Sequence, residues 1–151
     1  MKQRSTGAFG LRPAAAEDHP RILQLLAELE LDYPSRDLDK FWVYADNARI
    51  AAIAELKRFP DLLLLSCVGV DEVLQGSGIG KAFVEELLSR VPGTVYLYTL
   101  IPRFFGKLGF REAGEVPATL PPRCYYGCMD CVQQGCTCMV RFRNAATISS
   151  V

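Results

Sequence analysis

The chain has no surplus of charge of either sign, because 17 lysine and arginine residues are balanced by 17 aspartate and glutamate residues. Proteins that bind nucleic acids usually carry a marked basic surplus, so we expect no nucleic-acid partner. Long apolar runs and a hydrophobic signal segment at the N-terminus are also missing. We therefore expect no membrane partner and a cytoplasmic location.

Histidine is nearly absent, since His19 is the single one. It stands at the start of a predicted helix, where a capping or solvent-facing role is more common than catalysis. The rest of the composition is that of a globular domain, with 50% hydrophobic residues. We expect one domain over residues 1–143 and a flexible tail over 144–151.

Apolar periodicity predicts a mixed α/β (α+β) fold in which strands outnumber helices. Helices are predicted after Asp18, from Ile79, and over Arg103–Leu108. Strands are predicted at Ala8–Arg12, Phe41–Tyr44, Arg49–Leu56, Leu62–Val70, Thr94–Thr99, Phe110–Val116 and Met139–Phe142.

The stretch Asp61–Arg90 carries the strongest local signal. Leu62–Val70 is almost wholly apolar, as in a strand covered on both faces, and it leads into Gln75–Lys81, which contains three glycines. An amphipathic helix follows. A glycine-rich turn at the start of a helix offers N–H groups and the positive end of the helix dipole to a phosphate. We therefore expect a phosphate-bearing ligand to bind here.

Two familiar phosphate loops do not fit this stretch. A dinucleotide-binding fingerprint starting at Gly76 needs a glycine where Lys81 stands, and its acidic residue at the end of the next strand is also missing. A Walker A loop ending at Lys81 needs a glycine at Gln75 and a serine or threonine at Ala82. Both identities are excluded.

The pattern that fits is Gln-x-x-Gly-x-Gly, present as Gln75–Gly80, and it resembles the acetyl-CoA loop of the GNAT superfamily of N-acetyltransferases. Phe104–Phe110 resembles a later segment of that superfamily, and the order of predicted elements over residues 8–116 is similar as well. Leu97–Leu100 followed by Ala118–Pro121 resembles the N-acetylglutamate-synthase-like branch. That branch acetylates the α-amino group of an amino acid.

The resemblance implies a mixed, mostly antiparallel central sheet that is splayed between its fourth and fifth strands and flanked by helices. It also implies acetyl-CoA as the donor, with the pyrophosphate on the backbone of the glycine loop and the pantetheine arm along the central strand. Gly69 is expected to mark a bulge that opens the sheet, the alternative being that this glycine only relieves crowding. The implied coenzyme residues are Cys67, Val68, Gly69, Val70, Gln75, Gly76, Ser77, Gly78, Ile79, Gly80, Lys81, Phe104 and Phe105.

The implied reaction is direct attack of a neutral amine on the acetyl carbonyl, and here the sequence departs from the pattern. Many relatives carry a tyrosine as the leaving-group acid where this chain has Phe105. The central strand also lacks the carboxylate that often serves as base. Tyr98 could replace the acid and Glu55 could relay a proton, although a packed aromatic and an edge charge are the simpler readings.

The acceptor is expected to be the amine of a small molecule, such as an amino acid. An α-carboxylate is best held by arginine, and aromatic side chains commonly line such pockets. The candidate substrate residues are Tyr33, Arg36, Trp42 and Arg49. A homodimer is the expected assembly.

Five of the six cysteines cluster within residues 124–138, an addition to the superfamily pattern, while Cys67 lies apart on a buried strand. In a reducing compartment such a cluster favours metal binding or redox chemistry over disulfides. Structural zinc, redox-active thiols and an iron–sulfur cluster all stay open. A tetrahedral zinc would use four of Cys124, Cys128, Cys131, Cys136 and Cys138.

Three hypotheses follow. The leading one is an acetyl-CoA-dependent N-acetyltransferase. The second is a non-catalytic acyl-CoA-binding module, motivated by Phe105 and the missing carboxylate. The third is a metal- or thiol-sensing module in which the cysteine segment carries the function.

Overall fold

The computed structural model describes residues 9–121 and 136–142. Three α-helices lie in these residues: α1 (His19–Glu28), α2 (Ile79–Arg90) and α3 (Pro102–Gly106). The strands in the same residues are β1 (Gly10–Pro13), β2 (Phe41–Ala45), β3 (Ile50–Phe59), β4 (Leu62–Val70), β5 (Val95–Thr99), β6 (Arg111–Glu112) and β7 (Thr137–Arg141).

The strands form one sheet in the order β1-β2-β3-β4-β5-β7-β6. Every neighbouring pair is antiparallel except β4 and β5, which run parallel. The parallel pairing is confined to Leu63 with Val95 and Leu64 with Tyr96, although β4 continues to Val70. The predicted mixed, mostly antiparallel sheet, splayed between its fourth and fifth strands, is confirmed.

Helices cover both faces of the sheet because apolar side chains alternate along the strands. On one face α2 buries Phe83, Val84 and Leu87 against the sheet, and Phe105 of α3 joins the same core. On the other face α1 buries three apolar side chains: Ile22, Leu25 and Leu26. A third cluster on that face contains Leu62 and Leu64 of β4 and Tyr96 of β5, so both strands are packed from both sides.

The later elements differ from prediction in their bounds. The strand predicted over Phe110–Val116 is only Arg111–Glu112, and α3 ends at Gly106, ahead of the left-handed Gly109. The chain then bends toward Pro117, which has no N–H to donate to a ladder. β7 begins at Thr137, two residues before the predicted start, because Thr137 pairs with the end of β5.

None of the helices in the described residues is long and apolar enough to cross a membrane. The predicted tail at 144–151 lies outside the described residues. Most of the cysteine-rich insertion at 124–138 does so too, with only residues 136–138 described.

Candidate active site

A cavity of about 770 Å³ opens where β4 and β5 diverge. Its walls come from the end of β4, the end of β5, the glycine loop and the segment that follows α1. The volume lies in the range of cofactor and small-molecule sites. Because the strands stop pairing after Leu64, the β5-facing edge of β4 runs along this opening. The opening therefore presents a strand edge to an extended ligand.

β4 carries a bulge in the middle of the opening, at Cys67 and Val68. On β3, Ala54 alone separates the partners of Gly69 and Ser66, whereas two residues separate them on β4. Cys67 has a φ of 55°, which is costly for a residue other than glycine and is typical of functional sites. The bulge was expected at Gly69, whereas the structure has it at the two residues that precede Gly69.

Gly69 has a packing role instead. It pairs regularly with Ile53, and its φ is not positive. A Cβ at this position would lie 2.6 Å from Leu29 Cδ1 and 3.0 Å from Leu31 Cδ1. Glycine is required because the segment after α1 lies directly against β4.

The loop between β4 and α2 depends on glycine for two different reasons. Gly76 and Gly78 have φ values of 84° and 87°, in the left-handed region that favours glycine, and Gly78 is the N-cap of α2. At Gly80 the reason is space, since a Cβ would lie 3.2 Å from Val70 Cγ2. The first turn of α2 thereby places its N–H groups beside the end of β4, without side chains between.

Side chains of the loop hold it in this shape. Gln75 Nε2 donates to the Val70 carbonyl at 3.0 Å, and Ser77 Oγ donates to the Leu74 carbonyl at 2.6 Å. Ile79 is buried in the core under α2. Ser77 and Ile79 do not line the cavity, whereas the other predicted coenzyme residues do.

The opposite rim of the cavity is aromatic and apolar. Phe104 and Phe105 both line it, with ring centroids 4.9 Å apart in an edge-to-face arrangement. Phe105 is only 5% exposed and also packs edge-to-face on Phe110. Leu100 and Ile101 line the same cavity and are more than half exposed. Such an apolar mouth suits a ligand with an aromatic or alkyl portion.

The far end of the cavity lies on the α1 side of the sheet. Tyr33 and Tyr98 line it, as does Cys136. Tyr98 Oη donates a hydrogen bond of 2.6 Å to the Pro121 carbonyl. Among the described lining residues, Lys81 is the one charged side chain, and it lies at the glycine loop. The described wall of the far end is therefore neutral.

The other predicted substrate residues do not share this wall. Arg36 follows Tyr33 in the same loop, outside the cavity lining, and its guanidinium lies 2.7 Å from the Asp32 carboxylate. Trp42 packs on the core from β2, and Arg49 is exposed in the turn between β2 and β3. Neither residue is among the described residues that line this cavity, and their role as substrate residues stays a prediction.

Glu55 is fully buried on β3, opposite Ser66 of β4. Oε2 accepts a hydrogen bond of 2.6 Å from the Asp37 N–H and lies 3.6 Å from Lys57 Nζ. Oε1 accepts a hydrogen bond of 3.0 Å from Ser66 Oγ. Burial raises the pKa of the Glu55 carboxyl, against the opposing effects of these hydrogen bonds and of the Lys57 charge.

The Cys67 thiol lines the cavity beside this carboxyl. Burial, followed by the negative charge of Glu55, raises the pKa of Cys67 to about 12. The sulfur is therefore a neutral thiol near neutral pH, and Sγ lies 3.6 Å from the Leu31 carbonyl oxygen. A neutral thiol is a poor nucleophile, so Cys67 is not suited to form a covalent intermediate.

Two of the five clustered cysteines, Cys136 and Cys138, lie in the described residues. Cys124, Cys128 and Cys131 lie outside the described residues. Cys138 is buried in β7 opposite Tyr98, and Cys136 lines the cavity. Within residues 9–121 and 136–142, no group of three or more His, Cys, Asp or Glu side chains is placed to hold a metal ion. The zinc expectation stays a prediction.

Comparison with known proteins agrees with the geometry of the loop and the splayed strands. A family model described as Acetyltransferase (GNAT) family matches residues 10–110, more than half of the chain. The chain belongs to the GNAT acetyltransferase family. The matched residues span β1 to the end of α3, and so include every wall of the cavity except Cys136.

Solved structures share this GNAT fold at low sequence identity. N-acetylglutamate synthase from Neisseria gonorrhoeae, complexed with coenzyme A and N-acetyl-glutamate, has a TM-score of 0.71 and 19% identity over 90% of this chain. The match covers 35% of that synthase, so this chain spans about a third of its length. Rv2747 from Mycobacterium tuberculosis, in complex with CoA, has a TM-score of 0.70 and 22% identity, over 89% of this chain and 99% of that one.

A GNAT family acetyltransferase from Staphylococcus aureus is similar to the same extent. Its TM-score is 0.70 and its identity 17%, over 89% of this chain and 99% of that one. At these identities the likeness describes the fold. The GNAT fold of this chain is thus supported both by its sequence family and by structures of comparable length.

Sequence reasoning missed several residues of the GNAT cavity. Ser66, Leu29 and Leu31 line it, and none was singled out from the sequence. The leucines continue the apolar spacing of α1 and look like ordinary core residues. Ser66 is a lone polar residue within the apolar run of β4, and that interruption was the available signal.

Proposed function

We propose that the protein is an N-acetyltransferase that moves the acetyl group of acetyl-CoA to the amine of a small molecule by direct attack. The observation that carries this proposal is the opening between β4 and β5, which runs from the glycine loop to the bulge at Cys67 and Val68. A ligand lying in it would have a phosphate-binding turn at one end and a strand edge along its length.

The glycine loop would bind the pyrophosphate of the donor. The N–H groups of Gly76 to Lys81 precede or begin α2, where the helix dipole favours a negative charge. Lys81 lines the same part of the cavity and adds a positive charge. The pantetheine arm would follow the edge of β4 that no longer pairs with β5.

The bulge would determine where the thioester of the donor lies. A bulge leaves a backbone N–H outside the regular ladder, and the N–H of Val68 is the proposed donor to the acetyl carbonyl. Such a hydrogen bond stabilises the oxyanion that forms when the amine attacks. The neutral thiol of Cys67 supports direct transfer over an acetyl-cysteine intermediate.

Proton transfer is assigned to Glu55 as the base and to Tyr98 as the candidate donor to the leaving thiolate. Tyr98 lines the cavity, and using it as an acid requires its hydroxyl to leave the Pro121 carbonyl. Coenzyme A is a fairly good leaving group, so the proton donor is the less demanding of the two roles.

Release of free thiol from acetyl-CoA, measured with a panel of amino acids and polyamines, tests the proposal. We expect turnover that depends on both the protein and one class of amine. Arg36 is the arginine beside the far end of the cavity, so an amino acid acceptor predicts weaker substrate binding in Arg36→Ala. Binding of acetyl-CoA without turnover on any amine would contradict the proposal and favour a non-catalytic acyl-CoA-binding module.

A further inference from the structure

Glu55 is a glutamate at a fully buried position of β3, where an apolar residue is expected. A buried carboxylate is costly unless it is paired and hydrogen-bonded, and apolar residues of similar size often stabilise such sites better. Glu55 is 0% exposed and lies on a central strand. It accepts hydrogen bonds from two separate segments of the chain and lies 3.6 Å from Lys57 Nζ on its own strand. The free-energy cost of burying this carboxylate indicates a role beyond packing.

The two oxygens of Glu55 have different surroundings. Oε2 faces the loop after α1, where the Asp37 N–H donates to it, and Lys57 Nζ, which also donates to the Ser35 carbonyl, lies close by. Oε1 faces β4 and accepts from Ser66 Oγ. One oxygen thus fixes the loop over the carboxyl, while the other is bound to the Ser66 hydroxyl of β4.

Ser66 connects the buried carboxyl to the cavity. Ser66 lines the cavity and Glu55 does not. A serine hydroxyl has one proton to donate and two lone pairs that accept. Since the proton of Ser66 goes to Glu55, its lone pairs remain for a donor such as an ammonium group. Ser66 also directly precedes the bulge at Cys67 and Val68, next to the proposed position of the thioester.

We propose that Ser66 and Glu55 form a proton relay that deprotonates the acceptor amine, an inference that rests on the proposed acetyltransferase function. The ammonium group of the acceptor donates to Ser66 Oγ, its N–H bond breaks, and the proton moves to that oxygen. The original Ser66 proton passes at the same time to Glu55 Oε1, which becomes a neutral carboxylic acid. The amine lone pair then attacks the acetyl carbonyl and the carbon–sulfur bond breaks. The departing thiolate takes a proton from Tyr98, and the second N–H proton of the attacking nitrogen replaces it on Tyr98.

The relay resets after the thiol and the amide leave. Glu55 returns its proton to Ser66, and Ser66 passes a proton to water entering the emptied cavity. Each cycle therefore moves one proton from the ammonium group to solvent, and no other reactant is required.

The charges around Glu55 are compatible with this role. Lys57 faces it from β3, the neutral Cys67 thiol lies beside it on β4, and the Asp32–Arg36 ion pair lies on the loop after α1. Burial raises the pKa of Glu55, which makes the ionised carboxylate a stronger base. Because the ionised form accepts the proton, turnover should fall as the pH drops through this raised pKa.

The test is the pH profile of kcat for Ser66→Ala, measured with acetyl-CoA and the panel amine that the wild-type protein turns over fastest. We expect Ser66→Ala to lower kcat by roughly 100-fold or more near neutral pH, the usual contribution of general acid–base catalysis. The loss should shrink as the pH approaches the pKa of the free amine, since the amine then arrives already deprotonated. The KM for acetyl-CoA should not change.

Three further variants separate the relay from a structural effect. Ser66→Thr retains a hydroxyl and should recover most of the activity. Glu55→Gln should lower kcat and remove the acid limb of the profile. Ser89→Ala, on the exposed surface of α2, is the matched serine control and should behave as wild type.

The outcomes separate a failure of the relay from a failure of the proposed acetyltransferase function. If the wild-type protein turns over an amine but Ser66→Ala retains full activity, or loses the same factor at every pH, the relay is wrong and the acetyltransferase function stands. If no amine is turned over by the wild-type protein, the proposed function fails and the relay fails with it. If Ser66→Ala also loses acetyl-CoA binding, its effect is structural and the relay is rejected.

Discussion

Glu55 is the residue whose chemistry fits its surroundings least well. Its carboxyl is enclosed on β3, and burial outweighs the favourable contacts with Asp37, Lys57 and Ser66, so the pKa is raised. A raised pKa means that folding shifts the carboxyl toward its neutral form, relative to the unfolded chain. The ionised form that catalysis would use is therefore held at a cost to stability, as at many active sites.

This cost predicts a pH-dependent stability for Glu55→Gln. Above the ordinary pKa of glutamate, the unfolded wild-type chain loses the proton before the folded protein does, so wild-type stability falls as the pH rises through the raised pKa. Glutamine has no such transition. We expect the Tm of Glu55→Gln to exceed that of wild type by a few degrees at about pH 8, with a smaller difference at about pH 5.

Thermal unfolding of both proteins across this pH range checks the prediction. A Tm for Glu55→Gln that is lower than wild type at every pH would show that the carboxylate stabilises the fold, and would remove the argument that it is kept for function. Asp61→Asn, in the exposed turn between β3 and β4, is a control for loss of one carboxylate.

At the scale of elements, β4 and the loop after it provide a large part of the candidate site. The strand pairs with β5 over its first residues, bulges at Cys67 and Val68, and ends beside the N-terminus of α2. The divergence of β4 from β5 opens the cavity, and the bulge at Cys67 and Val68 lies in its wall. The helix start then closes one end of the cavity with N–H groups.

This element was largely predictable from sequence because its signals are local. The apolar run Leu62–Val70, the glycines of the loop and the amphipathic spacing of α2 are all read within a few residues. The bulge was misplaced because Gly69 is the obvious irregular residue in the strand. Its actual reason, the contact with Leu29 and Leu31, depends on packing between segments about forty residues apart in the sequence.

The link between Ser66 and Glu55 was not predictable for the same reason. The two residues are 11 apart in sequence, and their pairing depends on the register of the β3–β4 hairpin before the bulge. A shift of one residue would move either side chain to the other face of the sheet. Trp42 and Arg49 were chosen from residue type alone, which does not say which strand borders the opening, and neither lines the described cavity.

At the scale of the whole molecule, the GNAT domain and the cysteine-rich segment meet at β7. This strand pairs with β5 through Cys138 and Tyr98, and Cys136 lines the cavity. Residues 136–138 therefore lie next to the far end of the candidate active site. Its remaining cysteines lie outside the described residues.

Metal analysis of the full chain purified under reducing conditions tests the zinc prediction. Four thiolates from the cluster would hold one zinc ion, so we expect a zinc-to-protein ratio near one. A ratio near zero would contradict the prediction. Cys67→Ser is the matched control, because Cys67 lies on β4 apart from the cluster and its loss should leave the ratio unchanged.

The central claim is that the glycine loop binds the pyrophosphate of acetyl-CoA, and titration calorimetry of acetyl-CoA with Gly78→Asp tests it most directly. Gly93→Asp is the matched control, since Gly78 and Gly93 both have positive φ and open space at Cβ, but Gly93 lies in the turn before β5. Hydrogen bonds to charged groups contribute about 1.5–3 kcal/mol each, so we expect Gly78→Asp to bind roughly tenfold to more than 100-fold more weakly. Gly93→Asp should bind as wild type does, while equal affinities in all three proteins would contradict the account.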